Sequence, residues 1–196
     1  MKLFISSTSP FARIVRILLQ EKGIAHEEVL VDPWASPAAL IDATPTCKVP
    51  ALVDAGVAIS HSLLIAQYLE AAYPEQALAL PSACELAQSA LAFGALEAFA
   101  SIIIGRRTRP DFDDAPVGLR RRGAIEDALQ RLNAGTPTHN EGSMPSLANI
   151  ITVVLLDAVR FRFGHAPWVP DVAALDALSN HLNQRASFAS TRPVLA

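Results

Sequence analysis

The feature that most constrains this chain is the point at which its strands stop. Short apolar runs alternate with helix-like patterns as far as residue 73, and beyond the two-proline connector at 74–81 no strand pattern follows. Such a chain folds as a small α/β unit followed by an all-helical one. Residues 2–6 read as a strand and 10–21 as a helix with Phe11, Val15, Leu18 and Leu19 on one face. Pro10 suits the first helical turn, where its missing N–H leaves nothing unpaired; Ser9 then falls at the N-cap and Gly23 at the stop. A second strand is expected over 26–31, and a loop with a short helix over 34–44. Residues 49–53 and 57–59 flank the turn Asp54-Ala55-Gly56 and form a hairpin. Residues 62–72 form a helix with Leu64, Ile65, Tyr68 and Leu69 spaced for burial.

The predicted order is therefore β-α-β-α-β-β-α over 1–73, a linker over 74–81, and a helical bundle domain over 82–196. Within the bundle, helices are expected at 82–107, 117–133, 146–163 and 172–185, with a polar loop at 134–145. Apolar residues make up 51% of the chain and charged ones only 18%, which excludes a disordered protein. The net charge of −3 has no basic run to set against it, so no nucleic-acid partner is expected; Arg120, Arg121 and Arg122 read as a solvated face. Two cysteines, Cys47 and Cys84, are too few for a disulfide framework and fit no metal motif, which points to a reducing compartment and no metal. Polar residues 6–10 with Arg13 and Arg16 interrupt any leader core, and the apolar stretch 150–156 is too short to span a bilayer. A cytoplasmic protein without a membrane partner is the expectation.

Three places can carry chemistry. Ser9 puts a hydroxyl beside unpaired amides at the positive end of a helix, where an anion such as a ligand thiolate is favoured. A free thiol has a pKa of roughly 8.5, and lowering it by about two units stabilises the thiolate by roughly 2.7 kcal/mol. The alternative is that Ser9 only caps its helix. Val49-Pro50 opens the third strand; a cis bond there would turn the Val49 backbone outward, ready to pair with an extended peptide, and the sequence leaves the isomer open. His61-Ser62 opens the next helix, whose amides and serine hydroxyl can hold a carboxylate, unless Ser60 or Ser62 is a plain N-cap. Lys48 can hold a second carboxylate or be solvated, and Phe11 and Trp34 can line a pocket or belong to the core. Arg106, Arg107 and Arg109 suit a helix C-terminus without any substrate. In this order, the three places describe a tripeptide site on a thioredoxin-like fold.

The stretches Thr8-Ser9-Pro10-Phe11-Ala12-Arg13-Ile14-Val15-Arg16 and Glu21-Lys22-Gly23-Ile24 resemble the N-terminal signature of glutathione transferases. So do Lys48-Val49-Pro50-Ala51-Leu52-Val53-Asp54, Ser62, and Ile65-Ala66-Gln67-Tyr68-Leu69-Glu70. The likeness is strongest to small bacterial members with a Thr-Ser-Pro-Phe start. It implies that Ser9 activates the glutathione sulfur, and that Val49, with Pro50 cis, pairs with the cysteinyl backbone. It further implies that Ser62 binds the γ-glutamyl carboxylate and Lys48 the glycyl carboxylate, with Phe11 and His61 beside them. Glutathione would be the co-substrate, a small electrophile the second substrate between the domains, detoxification the role and a homodimer the assembly. The family usually carries Glu or Asp where this chain has His61. A protonated imidazole would repel the γ-glutamyl ammonium, so binding is expected to weaken below about pH 6.5. That departure keeps a non-catalytic binding or scaffold protein as the alternative, while a glutathione-dependent isomerase or dehalogenase shares the same first site. The family's capping box in its sixth helix appears here as Ser146-Leu147-Ala148-Asn149, which can cap without adding charge.

Overall fold

The computed structural model describes residues 1–164 and 166–194, and the chain divides into two compact units. The first takes Met1–Leu78 together with the segment from Arg185 onward; the second is Ala79–Gln184.

In the first unit, β1 (Lys2–Ile5), α1 (Pro10–Glu21), β2 (Glu27–Leu30), α2 (Ala38–Ala43), β3 (Ala51–Asp54), β4 (Val57–Ser60) and α3 (Ser62–Ala72) follow in the predicted order. The sheet runs β2-β1-β3-β4, with β1 parallel to β2 and antiparallel to β3, and β3 antiparallel to β4. This is the mixed sheet of a thioredoxin-like domain. Pairing of Asp54 with Val57 leaves Ala55 and Gly56 as a two-residue loop, at φ +47° and +80°, as a tight hairpin requires. The α1 helix buries Ile14, Val15, Ile17, Leu18 and Leu19 completely, whereas Phe11 sits half-buried at its start. Leu64 departs from expectation: it is 55% exposed, because the buried face of α3 is Ser62, Ile65, Ala66 and Leu69. Next to Ile65 in sequence, it lies about 100° away around the helix.

The helix predicted over 172–185 is α7 (Ala173–Leu182), which ends early where Asn183 caps it, and a further short helix that was not predicted, α8 (Ala186–Ala189), follows. The helical domain therefore does not run to the end of the chain as expected, because α8 packs on α1. Phe188 is completely buried, and Arg13 donates to its carbonyl at 3.2 Å and to Thr191 Oγ1 at 3.4 Å. Arg185 and Ser187 both donate to the Glu21 carboxylate. These partners lie so far apart in sequence that no local pattern announces them.

In the second unit, α4 (Ala83–Thr108) packs on α5 (Pro116–Ala134) and α6 (Leu147–Phe163), and α7 closes on α5 and α6. A capping box between Ser82 and Glu85 starts α4. By length and composition α4 is long and apolar enough to cross a membrane, contrary to the expectation drawn from residues 150–156. Here the apolar residues Phe93, Leu96, Phe99 and Ile102 are buried and supply the unit's core. After α4 a 3-10 turn, Phe112–Asp114, is held close to α5: a Cβ at Gly118 would lie 2.0 Å from the Phe112 carbonyl oxygen, so only glycine fits. Asp113 is buried in that turn and accepts from Arg106 at 2.8 Å and Arg122 at 3.1 Å. The hydrogen bonds from Arg106 hold its carboxyl below the usual carboxylate range. Arg122 is therefore structural, while Arg120 and Arg121 are exposed as expected. Ser146 and Asn149 complete the capping box of α6, and the Asn149 amide also donates to the carbonyls of Pro137 and Thr138, tying down the polar loop.

Candidate functional site

Strand register decides which of the predicted residues meet. Phe4 near the end of β1 pairs with Ala51 at the start of β3, and Ala51 pairs with Ser60 at the end of β4. The segments just beyond these residues, carrying Ser9, Val49-Pro50 and His61-Ser62, thus emerge at one end of the sheet. The 3-10 turn at Pro33–Ala35 shares that end, since Val31 donates to the Ile5 carbonyl at 2.9 Å.

Ser9 is the N-cap of α1; its Oγ accepts from the Ala12 amide at 3.2 Å. The capping role is real, and it uses a lone pair, which leaves the hydroxyl proton for a second partner. The Val49-Pro50 bond is cis. Pro50 is buried, and Val49 packs on the cluster of Phe4, Leu40 and Ala51. The ladders begin at Ala51, so the Val49 backbone pairs with neither β1 nor β4. Lys48, next to it, is exposed.

The start of α3 is built differently from the expected serine cap. His61 occupies the cap position at φ +76°, exposed, and its side chain makes no capping bond. A non-glycine residue in that region costs of order 1–3 kcal/mol and is held by its surroundings, commonly at functional sites. Nothing in the sequence announces this conformation. Ser62 is the first helical residue, 2% exposed, and its Oγ has no hydrogen-bond partner among the described residues. The first intrahelical bond runs from Ile65 to His61, so the amides of 62–64 lack helical acceptors, and no acidic residue stands in the first turn. Such a helix start can hold a carboxylate.

Cys47 lies near the same end at φ +50°, its thiol donating to the Pro33 carbonyl at 3.3 Å, and Trp34 beside it is 54% exposed. Cys84 is an exposed residue of the second unit. Arg106 and Arg109 also belong to that unit, where Asp113 and Asp111 answer their charges. Among the described residues no group of three or more His, Cys, Asp or Glu side chains is arranged to hold a metal. What the sheet end offers is a hydroxyl at a helix dipole, a Val49 backbone outside the strand ladders and an open helix start, which can take a soft anion, a peptide segment and a carboxylate.

Comparison with known proteins identifies the family. Residues 3–77 match the glutathione S-transferase N-terminal domain family. A stringent starvation protein A homolog from Pasteurella multocida is 36% identical over 78 residues, 40% of this chain and 37% of that relative. The likeness to the uncharacterized GST-like protein YibF of Escherichia coli K12 is 31% identity over 203 residues and covers 98% of both chains. Among solved structures, a glutathione S-transferase from Methylobacterium radiotolerans, in complex with glutathione sulfonate, superposes with a TM-score of 0.87 at 28% identity. That match covers 100% of this chain and 95% of the other. With matches of this extent in both sequence and structure, the chain belongs to the glutathione S-transferase family.

Proposed function

We propose that the protein is a glutathione transferase that holds glutathione along this end of the sheet and directs its thiolate at a small electrophile, by conjugation or reduction. The observation that carries the reading is the register Phe4–Ala51–Ser60, which gathers Ser9, the Val49 backbone and the unpartnered Ser62 hydroxyl. The solved relative with glutathione sulfonate bound supports the choice of ligand.

Each residue then has a chemical task. Ser9 donates its free proton to the thiolate while its oxygen caps α1; the α1 dipole adds to the stabilisation. Val49 exchanges backbone hydrogen bonds with the cysteinyl unit, as an added strand would. Ser62 and the first amides of α3 receive the γ-glutamyl carboxylate, with His61 near its ammonium and Lys48 near the glycyl carboxylate. Phe11, half-buried after Ser9, walls the sulfur from water. No metal enters the reaction, and the working form is a cytoplasmic homodimer that detoxifies electrophiles.

Turnover of the Ser9→Ala variant with aryl halides, enals and organic hydroperoxides tests the mechanism. We expect at least a tenfold fall, about 1.4 kcal/mol of transition-state stabilisation. Loss of the cap would lower stability by about 1 kcal/mol. Ser9→Asp separates the two effects, because it keeps a cap but offers no proton; unchanged turnover in Ser9→Ala removes Ser9 from the mechanism. A second reading, a binding or scaffold protein without catalysis, is favoured by His61 standing exposed where an acidic residue is usual. Calorimetric titration of glutathione at pH 6.0 and 8.0 decides between them, and no heat at either pH would select the scaffold.

A further inference from the structure

The C-terminal turns of α4 and α6 adjoin. The Arg106 guanidinium lies 4.8 Å from the centre of the Phe163 ring, and Phe163 meets Phe99 edge-on at 5.7 Å. Arg106 and Arg107 occupy the last turn of α4, and Arg160 and Arg162 that of α6. Cations at helix C-termini are ordinary, each favoured by about 0.3–1 kcal/mol, and this is the bland account of all four. It fails at Arg162. Asp113 answers Arg106 and Asp176 answers Arg160, but no carboxylate among the described residues meets Arg162. Its guanidinium lies half-buried over the Phe161 ring, 5.0 Å from the centre. Burial, then the charges of Arg106 and Arg107, hold it below the ordinary arginine value. A bound anion would offset that loss.

We propose that Arg162, with Arg107 beside it, forms a receptor for a small organic carboxylate on the helical unit. The guanidinium fork matches the two oxygens of a planar carboxylate, and the aromatic surface beneath favours an organic acid over a fully hydrated inorganic ion. Nothing in this inference rests on glutathione binding.

The test is a ligand-observed NMR titration of the full chain, without glutathione, using benzoate, its neutral counterpart benzamide, and inorganic phosphate. Benzoate should bind about tenfold more tightly than benzamide, with Arg162→Gln and the exposed Arg107→Gln each weakening benzoate and leaving benzamide unaffected. Arg162→Lys keeps the charge without the fork and should fall between wild type and Arg162→Gln. Equal binding of benzoate and benzamide, or unchanged benzoate binding in Arg162→Gln, would overturn the proposal. Phosphate displacing benzoate at equal concentration would reduce the site to a non-selective cationic patch and overturn it as well. The probes carry no thiol, so failure of glutathione to bind leaves this result standing, and the converse holds.

Discussion

The two units arrange their polar groups differently. In the helical unit many polar side chains answer one another: Asp113 takes Arg106 and Arg122, Asp157 takes Ser179 and Asn183, and Ser146 and Asn149 cap each other, although Thr152 Oγ1 and Arg122 Nε are buried there without a hydrogen-bond partner among the described residues. At the end of the sheet in the first unit they are left open: the Ser62 hydroxyl, the Val49 backbone and the first amides of α3. An unmet buried polar group costs about 1–3 kcal/mol, and the buried Ser62 hydroxyl carries that cost here. Arg162 matters because, inside the helical unit, no carboxylate among the described residues meets its half-buried guanidinium.

The widest break in that contrast would come from Phe188→Ala, which empties a completely buried site joining the chain's last segment to α1. We expect a loss of about 4 kcal/mol in chemical denaturation, and a loss below about 1 kcal/mol would detach that segment from the first unit. Next comes Asp113→Ala, which strips two arginines of their shared carboxylate. About 3 kcal/mol should disappear, at the low end for a broken ion pair because Arg106 is partly exposed. Asp113 has a folded pKa below its unfolded value near 3.9. Its contribution is therefore full above about pH 4 and is lost as the pH falls through the depressed folded value; denaturation curves at pH 7 and at pH 3 measure the difference.

Ser62→Ala sharpens the comparison from the other side. Its hydroxyl has no partner to lose, so stability should change by less than about 0.5 kcal/mol while glutathione binding weakens about tenfold. A large loss of stability with binding intact would make Ser62 structural. The smallest effect is expected from His61→Glu: a partly solvated ion pair to the γ-glutamyl ammonium is worth about 0.2–1 kcal/mol, up to about fivefold in affinity. Titrations at pH 6.0 and 8.0 should then agree with each other, and a persistent pH dependence would acquit His61.

Much of the first unit was legible because its cues are local. Pro10, Gly23, the Ala55-Gly56 turn and the helical periodicities act within a few residues, and α1 and α3 run over the predicted residues. Ser9 as a cap was readable for the same reason. The three site segments were recognisable as types, and their order carried the family resemblance. Tertiary structure decided what local cues leave open: the register that gathers those segments, the outward face of Leu64, the unpartnered Ser62 hydroxyl and the backbone of His61. It also decided that Arg122 and Arg13 are structural and that α8 joins the first unit. The physical reason is common to all of these. Propensity and capping depend on neighbours in sequence, whereas register, burial and charge pairing depend on residues that the chain brings together only by folding.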